Sequence, residues 1–309
     1  ARATGSLHPR YPKPRLNRPH DRLRGSRGRR LTRARTDSAS APVTASDSTD
    51  RFGTIPAAAV IAACLQAQAG VPARSRFARA FGRTPLSADS RPWYLGALGE
   101  LRVAAQLARL GPDWTVLHSV PIGERGSDID HVVVGPAGVF TINTKFHEDS
   151  RVWVGSRRLM VNGQKTDYLR NSRYEAQRVS RLLSKAIAES VDVHAAIVLV
   201  GARSITVREQ PTGVAVLRDT ELVRWLNRRP VALNDDDRDR IASTLSPREA
   251  WSGEPVPAPE VDERAFAHLR REVTAARRVR LAWATATLAG FITVVGTFAI
   301  DAYATLFGG

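Results

Sequence analysis

The feature that most restricts what this chain can fold into is a run of twenty residues, 281–300, without a single charged side chain. A twenty-residue α-helix is about 30 Å long, which matches the hydrocarbon thickness of a bilayer. A core helix of a soluble protein normally keeps a polar face, and this run shows none. We therefore predict one transmembrane helix at 281–300, with a buried core or interfacial helix as the alternative.

Charges flank this run unequally. The preceding stretch, 263–280, predicts a basic juxtamembrane helix with arginines that include Arg270, Arg271, Arg277, Arg278 and Arg280. On the other side, the acidic residue Asp301 follows the run. The positive-inside rule then places the bulk of the chain on the cytoplasmic side. We expect a single-pass protein of the bacterial cytoplasmic membrane, which contacts the inner leaflet through this helix and the Arg clusters. A weaker alternative makes the C-terminal segment a partner-binding helix in a soluble complex, and no protein partner can be named from the sequence.

Basic charge is concentrated in the N-terminal tail. The net charge is +16, and residues 1–36 alone hold eleven Arg, Lys13 and a single acid, Asp21. Residues 1–50 lack apolar periodicity, which predicts a disordered Arg-rich tail. The high pI therefore does not by itself indicate a nucleic-acid-binding domain. The lone cysteine, Cys64, excludes an internal disulfide framework and a four-thiolate zinc site.

Residues 93–230 alternate between helical and extended patterns and predict an α/β domain. Helices are expected at about 94–110 and 172–190, and strands at 115–120, 129–134, 139–144, 195–200 and 214–217, with a smaller hairpin at 151–161. Asp219 is expected to cap a further helix. Residues 51–92 predict a short helical lead-in, and 231–262 a helix followed by a linker.

Chemistry-bearing residues gather on the hairpin predicted at 129–144. It places Asp130 near the start of one strand and Lys145 at the end of the next; Asn143 and Lys145, two residues apart, share a face. A hard divalent cation needs oxygen ligands, which Asp130, the Asn143 side chain and the Thr144 carbonyl can supply, with Glu100 of the first helix as a further carboxylate. Lys145 would then be a compact charge beside the metal, where it can orient a water or stabilise charge that develops on a phosphate. The alternative is that these are ordinary turn, strand-end and solvated helix residues.

Several other chemistries lack their usual signals. The chain contains no Walker A loop, no His-Glu-x-x-His and no Gly-x-Ser-x-Gly. Aromatic residues make up only 6% of the chain, which argues against a base-stacking platform.

The stretch from Gly96 to about Trp225 resembles the nuclease-related domain (NERD) family of the PD-(D/E)XK, restriction-endonuclease-like superfamily. The segments that carry the resemblance are GALGELRVAAQLARLG, WTVLHSVP, SDIDHVVVGPAGVFTINTK and KTDYLRNSRYEAQRVSRLL. The resemblance implies a restriction-endonuclease-like mixed sheet of about four main strands flanked by helices. It also implies a Mg²⁺- or Mn²⁺-dependent, nuclease-type site that acts on nucleic acid.

The resemblance assigns roles to individual residues. Glu100 matches the acidic residue of the family's first helix, Asp130 the metal-binding Asp, Asn143 the Glu/Gln position and Lys145 the catalytic Lys. Asn171 matches a polar residue of the later helix.

The chain departs from the family pattern at Asn143. An Asn is one methylene shorter than Gln and carries no charge, and Mg²⁺ demands near-ideal ligand geometry, so its binding should weaken unless a carboxylate such as Asp128 compensates. Two functions follow as expectations. The first is a membrane-anchored protein that hydrolyses phosphodiester bonds of DNA or RNA with Mg²⁺. The second is a catalytically inactive module that binds nucleic acid or a partner at the cytoplasmic membrane face.

Overall fold

A computed structural model describes residues 53–122, 127–247, 249–252 and 261–307. The tail predicted to be disordered, residues 1–50, and most of the linker predicted before residue 262 lie outside the described residues.

Helices and strands alternate through the central part of the chain. The helices are α1 (Ala58–Gln68), α2 (Arg76–Ala80), α3 (Ser90–Leu107), α4 (Tyr168–Ile187), α5 (Leu222–Asn227), α6 (Asp235–Leu245), α7 (Glu249–Ser252) and α8 (Glu263–Phe307). The strands are β1 (Thr115–Ile122), β2 (Ser127–Gly135), β3 (Gly138–Phe146), β4 (Arg151–Gly155), β5 (Arg158–Val161), β6 (Gln164–Thr166), β7 (Val193–Val200), β8 (Ser204–Val207) and β9 (Val214–Arg218).

The strands form two sheets. The larger has five strands in the order β1-β2-β3-β7-β9, antiparallel from β1 to β3 and parallel from β3 to β9. The smaller has the order β6-β5-β4-β8. Parallel neighbours need a long crossover, and the chain between β3 and β7 accordingly contains β4 to β6 and α4. The predicted mixed α/β class is confirmed, with five strands in the main sheet where about four were expected.

Helices cover both faces of the main sheet. One face packs against α3 and α5 through a cluster that includes Val103, Leu107, Phe140, Val198, Leu222 and Leu226. The other packs against α4 and α6 through a cluster that includes Val132, Val134, Val179, Leu183, Ile241 and Leu245. The interior strand β7, between β3 and β9, is covered on both sides, which explains its continuous apolar sequence.

Asp219 does not cap a helix, contrary to the prediction. It lies in a 3₁₀ turn, Asp219–Glu221, and its buried carboxylate accepts a hydrogen bond from Arg102 Nε at 2.6 Å. The carboxylate of Glu221 accepts the backbone N–H of Arg218 at this turn instead, at 3.0 Å. The Asp219 side chain thus ties β9 to α3.

The C-terminal helix α8 is one continuous helix that covers both segments predicted at 263–280 and 281–300. Its first turns bury Phe266 and Leu269 against α1 and α3. Beyond residue 280 its large apolar side chains are exposed; Leu281, Phe291 and Phe298 are 65%, 66% and 72% exposed. The helix contains an 18-residue window of mean hydropathy 1.6, none of which is buried. This apolar window is therefore not a core helix of the fold. By length and composition α8 is able to cross a membrane.

Candidate active site

The site begins where β2 and β3 stop pairing. Their ladder runs from the turn at Gly135 and Gly138 to the pair His131–Ile142. Past that pair, the Asp130 carboxylate replaces the backbone carbonyl of β2 as the acceptor and receives a hydrogen bond from the backbone N–H of Thr144 at 2.5 Å. A charged acceptor for a backbone donor makes a strong, short hydrogen bond, so Asp130 is fixed in the gap between the two strands.

Glu100 reaches this gap from α3. Its neighbour Gly99 lets the helix lie directly on β3, because a Cβ at Gly99 would stand 3.1 Å from Phe146 Cβ and 3.2 Å from Thr144 Cγ2. Glu100 is only 7% exposed as a result. Burial and the nearby Asp130 carboxylate hold the pKa of Glu100 well above its ordinary range.

Asn143 is bound by a residue that the sequence analysis did not single out, Glu175 of α4. Asn143 Nδ2 donates to both oxygens of Glu175, at 2.9 and 2.8 Å. Since the amide nitrogen is committed to Glu175, the amide oxygen of Asn143 is left for another partner. That oxygen is buried and accepts no hydrogen bond within the protein.

The carboxylates of this site crowd one another. Burial, reinforced by Asp130, raises the pKa of Asp128 to about 7. Burial raises the pKa of Glu175 to about 7 against the lowering effect of its hydrogen bond from Asn143. The pKa of Asp130 is raised by burial as well, although the Lys145 charge opposes the shift. Negative charge is thus unfavourable here unless a cation balances it.

Lys145 lies at the end of β3, next to the rings of Tyr168 and His147. Its Nζ lies 5.2 Å from the ring centroid of Tyr168, within the range of a cation–π contact. The Tyr168 hydroxyl is 3.2 Å from His147 Nε2. Burial and the neighbouring Lys145 lower the pKa of His147 to about 4, so this imidazole is neutral at pH 7 and leaves Lys145 as the cation of the group.

The donor atoms suit a hard divalent cation. Glu100 Oε2, Asp128 Oδ2 and Asn143 Oδ1 are buried oxygens without a hydrogen-bond partner in the protein, and such orphaned acceptors are rare because their desolvation is costly. Within the described residues no three His, Cys, Asp or Glu side chains are arranged to hold a metal ion. The carboxylates alone therefore do not form a metal site, and the buried Asn143 amide oxygen is the additional oxygen ligand that this arrangement offers.

The structure brings together the predicted residues Glu100, Asp130, Asn143 and Lys145, whose charges and hydrogen bonds interact as described above. Thr144 takes part through its backbone N–H, whereas its carbonyl was the predicted ligand.

The later helix contributes a different residue from the one matched in the sequence. Asn171 is exposed, and Glu175, one turn further along α4, reaches the site instead. The signal for Glu175 was its position beside the buried stripe of α4, which contains Ser172, Ala176 and Val179.

Residues 95–200 match the family model of the nuclease-related domain, NERD. The chain contains a nuclease-related domain. The matched range runs from α3 to the end of β7, so it includes the gap between β2 and β3 and the helix that carries Glu175. Membership of the PD-(D/E)XK superfamily is consistent with the family's name. No curated protein and no solved structure matches the chain significantly.

Proposed function

We propose that this NERD protein is a divalent-cation-dependent phosphodiesterase of DNA or RNA that α8 anchors in a membrane. The observation that carries the proposal is the set of buried, unpartnered oxygens beside Lys145 inside a nuclease-related domain. Repelling carboxylates held together by a fold are typical of a site whose charge is balanced by a bound cation.

The residues that would hold Mg²⁺ or Mn²⁺ are Asn143 through Oδ1 and two of the three carboxylates Asp130, Glu100 and Asp128. A cation bound there supplies a water nucleophile of lowered pKa and polarises a phosphate oxygen. Glu175 holds the amide of Asn143 by two hydrogen bonds, which keeps Oδ1 directed away from α4. We infer that Glu175 provides the negative charge that a Glu at position 143 would otherwise bring.

Lys145 is the group that steadies the phosphate. A phosphodiester approaching four carboxyl groups is repelled, and Lys145 is the cation that interacts with all four of them. It shares a strand face with Asn143, so its charge lies next to the amide oxygen. Charge that develops on the phosphate oxygens in the transition state is stabilised at this position.

The anchor is the exposed apolar part of α8. Its arginines precede the uncharged run and Asp301 follows it, so the positive-inside rule directs the NERD domain to the cytoplasmic side of the membrane. We propose a bacterial cytoplasmic membrane as the location, with nucleic acid reaching the site from the cytoplasm.

A second candidate function is a nucleic-acid or partner-binding module without turnover. It is favoured by Asn143 at the Glu/Gln position and by the lack of a three-carboxylate metal cluster among the described residues. Its signature is binding that weakens steeply with salt, because phosphate contacts release counterions.

The experiment uses the full chain in detergent micelles with single- and double-stranded DNA and RNA, in Mg²⁺, Mn²⁺ or EDTA. The phosphodiesterase proposal expects cleavage that needs the metal and is lost in Asp130→Ala and Lys145→Ala. Binding without cleavage in every condition would contradict it and support the second candidate.

A charge-swap variant separates the two functions further. Asn143→Glu alone would place two carboxylates in contact, whereas Asn143→Glu combined with Glu175→Gln moves one carboxylate from α4 to β3 and keeps the hydrogen bond. If the site is a nuclease site that has lost its activity, the double variant gains metal-dependent cleavage that the single variant lacks. Equal activity of the two variants would show that Glu175 has no part in the site.

A further inference from the structure

A short segment far from the active site is fastened to α8. We call residues 74–83, which contain α2, the α2 segment. Trp283 of α8 donates its Nε1–H to the carbonyl of Ala80 at 2.8 Å, and its ring stacks on Phe81 with centroids 5.7 Å apart. At Gly82 the two backbones touch, since a Cβ there would stand 2.6 Å from the carbonyl oxygen of Ala276. About 200 residues of sequence separate these partners, so the contact is a specific feature of the fold.

Arg74 fixes the other end of the segment. Its guanidinium pairs with Glu272 of α8 at 3.4 Å and donates to the carbonyl of Arg83 at 2.8 Å. The Arg74 side chain is only 11% exposed, so its role is to hold the segment against α8.

The contact lies at the level where α8 changes from charged to apolar. Ala276 and Trp283 are seven residues apart, about 10 Å along the helix, and the uncharged run starts between them at residue 281. If α8 spans a bilayer from this point, the α2 segment lies at the boundary between headgroups and water. Trp283 then occupies the depth at which membrane proteins concentrate Trp.

The outward surface of the α2 segment has the composition of a membrane-surface element. Phe77 is 79% exposed and Phe81 is 61% exposed. The remaining arginines of the segment, Arg76, Arg79 and Arg83, are exposed, and no Asp or Glu occurs from residue 70 to residue 88. Exposed aromatic rings among cations without a counter-charge are costly in water and favourable at an anionic lipid surface.

Arginines of α8 extend the same positive surface. Arg277, Arg278 and Arg280 are exposed, and the helix carries no acid from residue 273 to residue 300. The positive charge is therefore continuous from the α2 segment to the start of the uncharged run.

We propose that the α2 segment is a second membrane contact, which inserts Phe77 and Phe81 among the headgroups of an anionic leaflet and binds lipid phosphates through Arg76, Arg79 and Arg83. This inference rests on the membrane span of α8 proposed above. Its consequence is that the NERD domain meets the membrane at two places and cannot rotate freely about the axis of α8.

The test places one fluorescent label at a time on the full chain in lipid nanodiscs. Phe77→Cys reports the α2 segment, Phe298→Cys reports the span, and Val207→Cys on β8 is the aqueous control; Cys64 is buried and stays unlabelled. The discs contain phosphatidylcholine alone or with one third phosphatidylglycerol. Each disc carries a quencher either at the headgroup or in the middle of the acyl chain.

The proposal expects headgroup quenchers to quench the label at 77, acyl-chain quenchers to quench the label at 298, and neither to quench the label at 207. The triple variant Arg76→Gln, Arg79→Gln, Arg83→Gln should lower quenching at 77 by about twofold or more in the anionic discs. A matched variant with the same loss of charge on the second sheet, Arg151→Gln, Arg157→Gln, Arg158→Gln, should leave it unchanged.

Four results would overturn the proposal. Quenching at 298 without quenching at 77 rejects the second contact and keeps the span, whereas quenching at neither rejects both. A label at 77 that is shielded from iodide but unaffected by lipid quenchers shows that protein, such as a second copy of the chain, covers the segment. Equal quenching in both lipid compositions, unchanged by the triple variant, rejects the role of anionic headgroups.

Discussion

Two regions of this molecule reverse the usual distribution of side chains in opposite directions. The active-site gap buries carboxyl groups such as Glu100 and Asp130, whereas α8 exposes Leu281, Phe291 and Phe298. Each arrangement is unfavourable in water, the first because charge is desolvated and the second because apolar surface is hydrated. Each supports one of the proposals made above: a cation that balances the carboxylates and a membrane that surrounds the exposed part of the helix.

The two regions differ in how they are built. The gap is assembled from four elements, and its residues are held by partners such as the Thr144 N–H and the Asn143 amide. The exposed part of α8 is instead defined by a contiguous run of apolar residues, with Trp283 hydrogen-bonded to the carbonyl of Ala80 near its start. A change in α8 should consequently act through transfer free energy alone, while a change in the gap should also act through geometry. The following predictions test this difference.

The largest effect is expected from charge placed in the uncharged run. Val294→Arg with Val295→Arg should remove the chain from the carbonate-resistant membrane fraction, because each Arg at the centre of a span costs about 2.5–3.5 kcal/mol. The control is Val294→Leu with Val295→Leu. If salt or carbonate without detergent releases the unmodified chain, α8 does not span the membrane and its exposed apolar surface needs another explanation.

Removing Lys145 should give the next largest effect. Lys145→Ala is expected to lower the rate of metal-dependent cleavage by about 100-fold or more, because a preorganised charge at the phosphate is lost. The circular dichroism spectrum should not change. The exposed Lys165 supplies the control, and a Lys165→Ala chain that loses activity equally would show that general positive charge matters rather than position.

Neutralising Glu175 should stabilise the metal-free protein. The pKa of Glu175 is raised from 4.5 to about 7, so folding opposes its ionisation and the cost grows as pH rises from about 4.5 to about 7. Glu175→Gln should therefore raise the Tm in EDTA by about 3–6 °C at pH 8 and have little effect at pH 5. Glu209→Gln is the exposed control. A lower Tm for Glu175→Gln at pH 8 would mean that the ionised Glu175 carboxylate does not destabilise the folded protein.

The smallest effect is expected at a pair of histidines on β1 and β2. His118 Nδ1 lies 2.8 Å from Nδ1 of His131, and burial lowers the pKa of His118 from 6.5 to about 4. Because the fold disfavours protonated His118, stability should be lost as pH falls from about 6.5 towards 4. His118→Asn should reduce the drop in Tm between pH 7.5 and pH 5 by roughly 2–4 °C, the shift produced by about 1 kcal/mol.

An exposed histidine provides the control for that experiment. His268 lies on the outer surface of α8, so His268→Asn should leave the pH profile as it is in the unmodified chain. Identical profiles for His118→Asn and His268→Asn would show that the buried pair does not sense pH.

The sequence predicted those parts of the fold that depend on neighbouring residues. The hairpin β2–β3 follows from alternation and a Gly-rich turn, and the apolar helix at 281–300 follows from composition. The strand β8 was missed because its pairing with β4, Arg151 opposite Ser204, joins segments far apart in the chain. Pairing of that kind leaves no local pattern.

The site shows the same limit. Glu100, Asp130 and Lys145 were found because they belong to recognisable motifs. Glu175 was missed because its role depends on how α4 packs on β3, which brings it to Asn143, 32 residues earlier. The prediction that Asp219 caps a helix was wrong for a similar reason, because its carboxylate pairs with the distant Arg102 and not with the local backbone.

The unbroken course of α8 leaves no flexible segment between its packed first turns and its exposed apolar part. A flexible tether would let the proposed enzyme search a volume around its anchor, whereas a continuous helix that shares a core with α1 and α3 would fix the height of the site above the leaflet. If α8 spans a membrane as proposed, the protein works on a surface. The nucleic acid of the proposed reaction would then have to lie against the membrane, and its delivery to the membrane would set the rate of encounter.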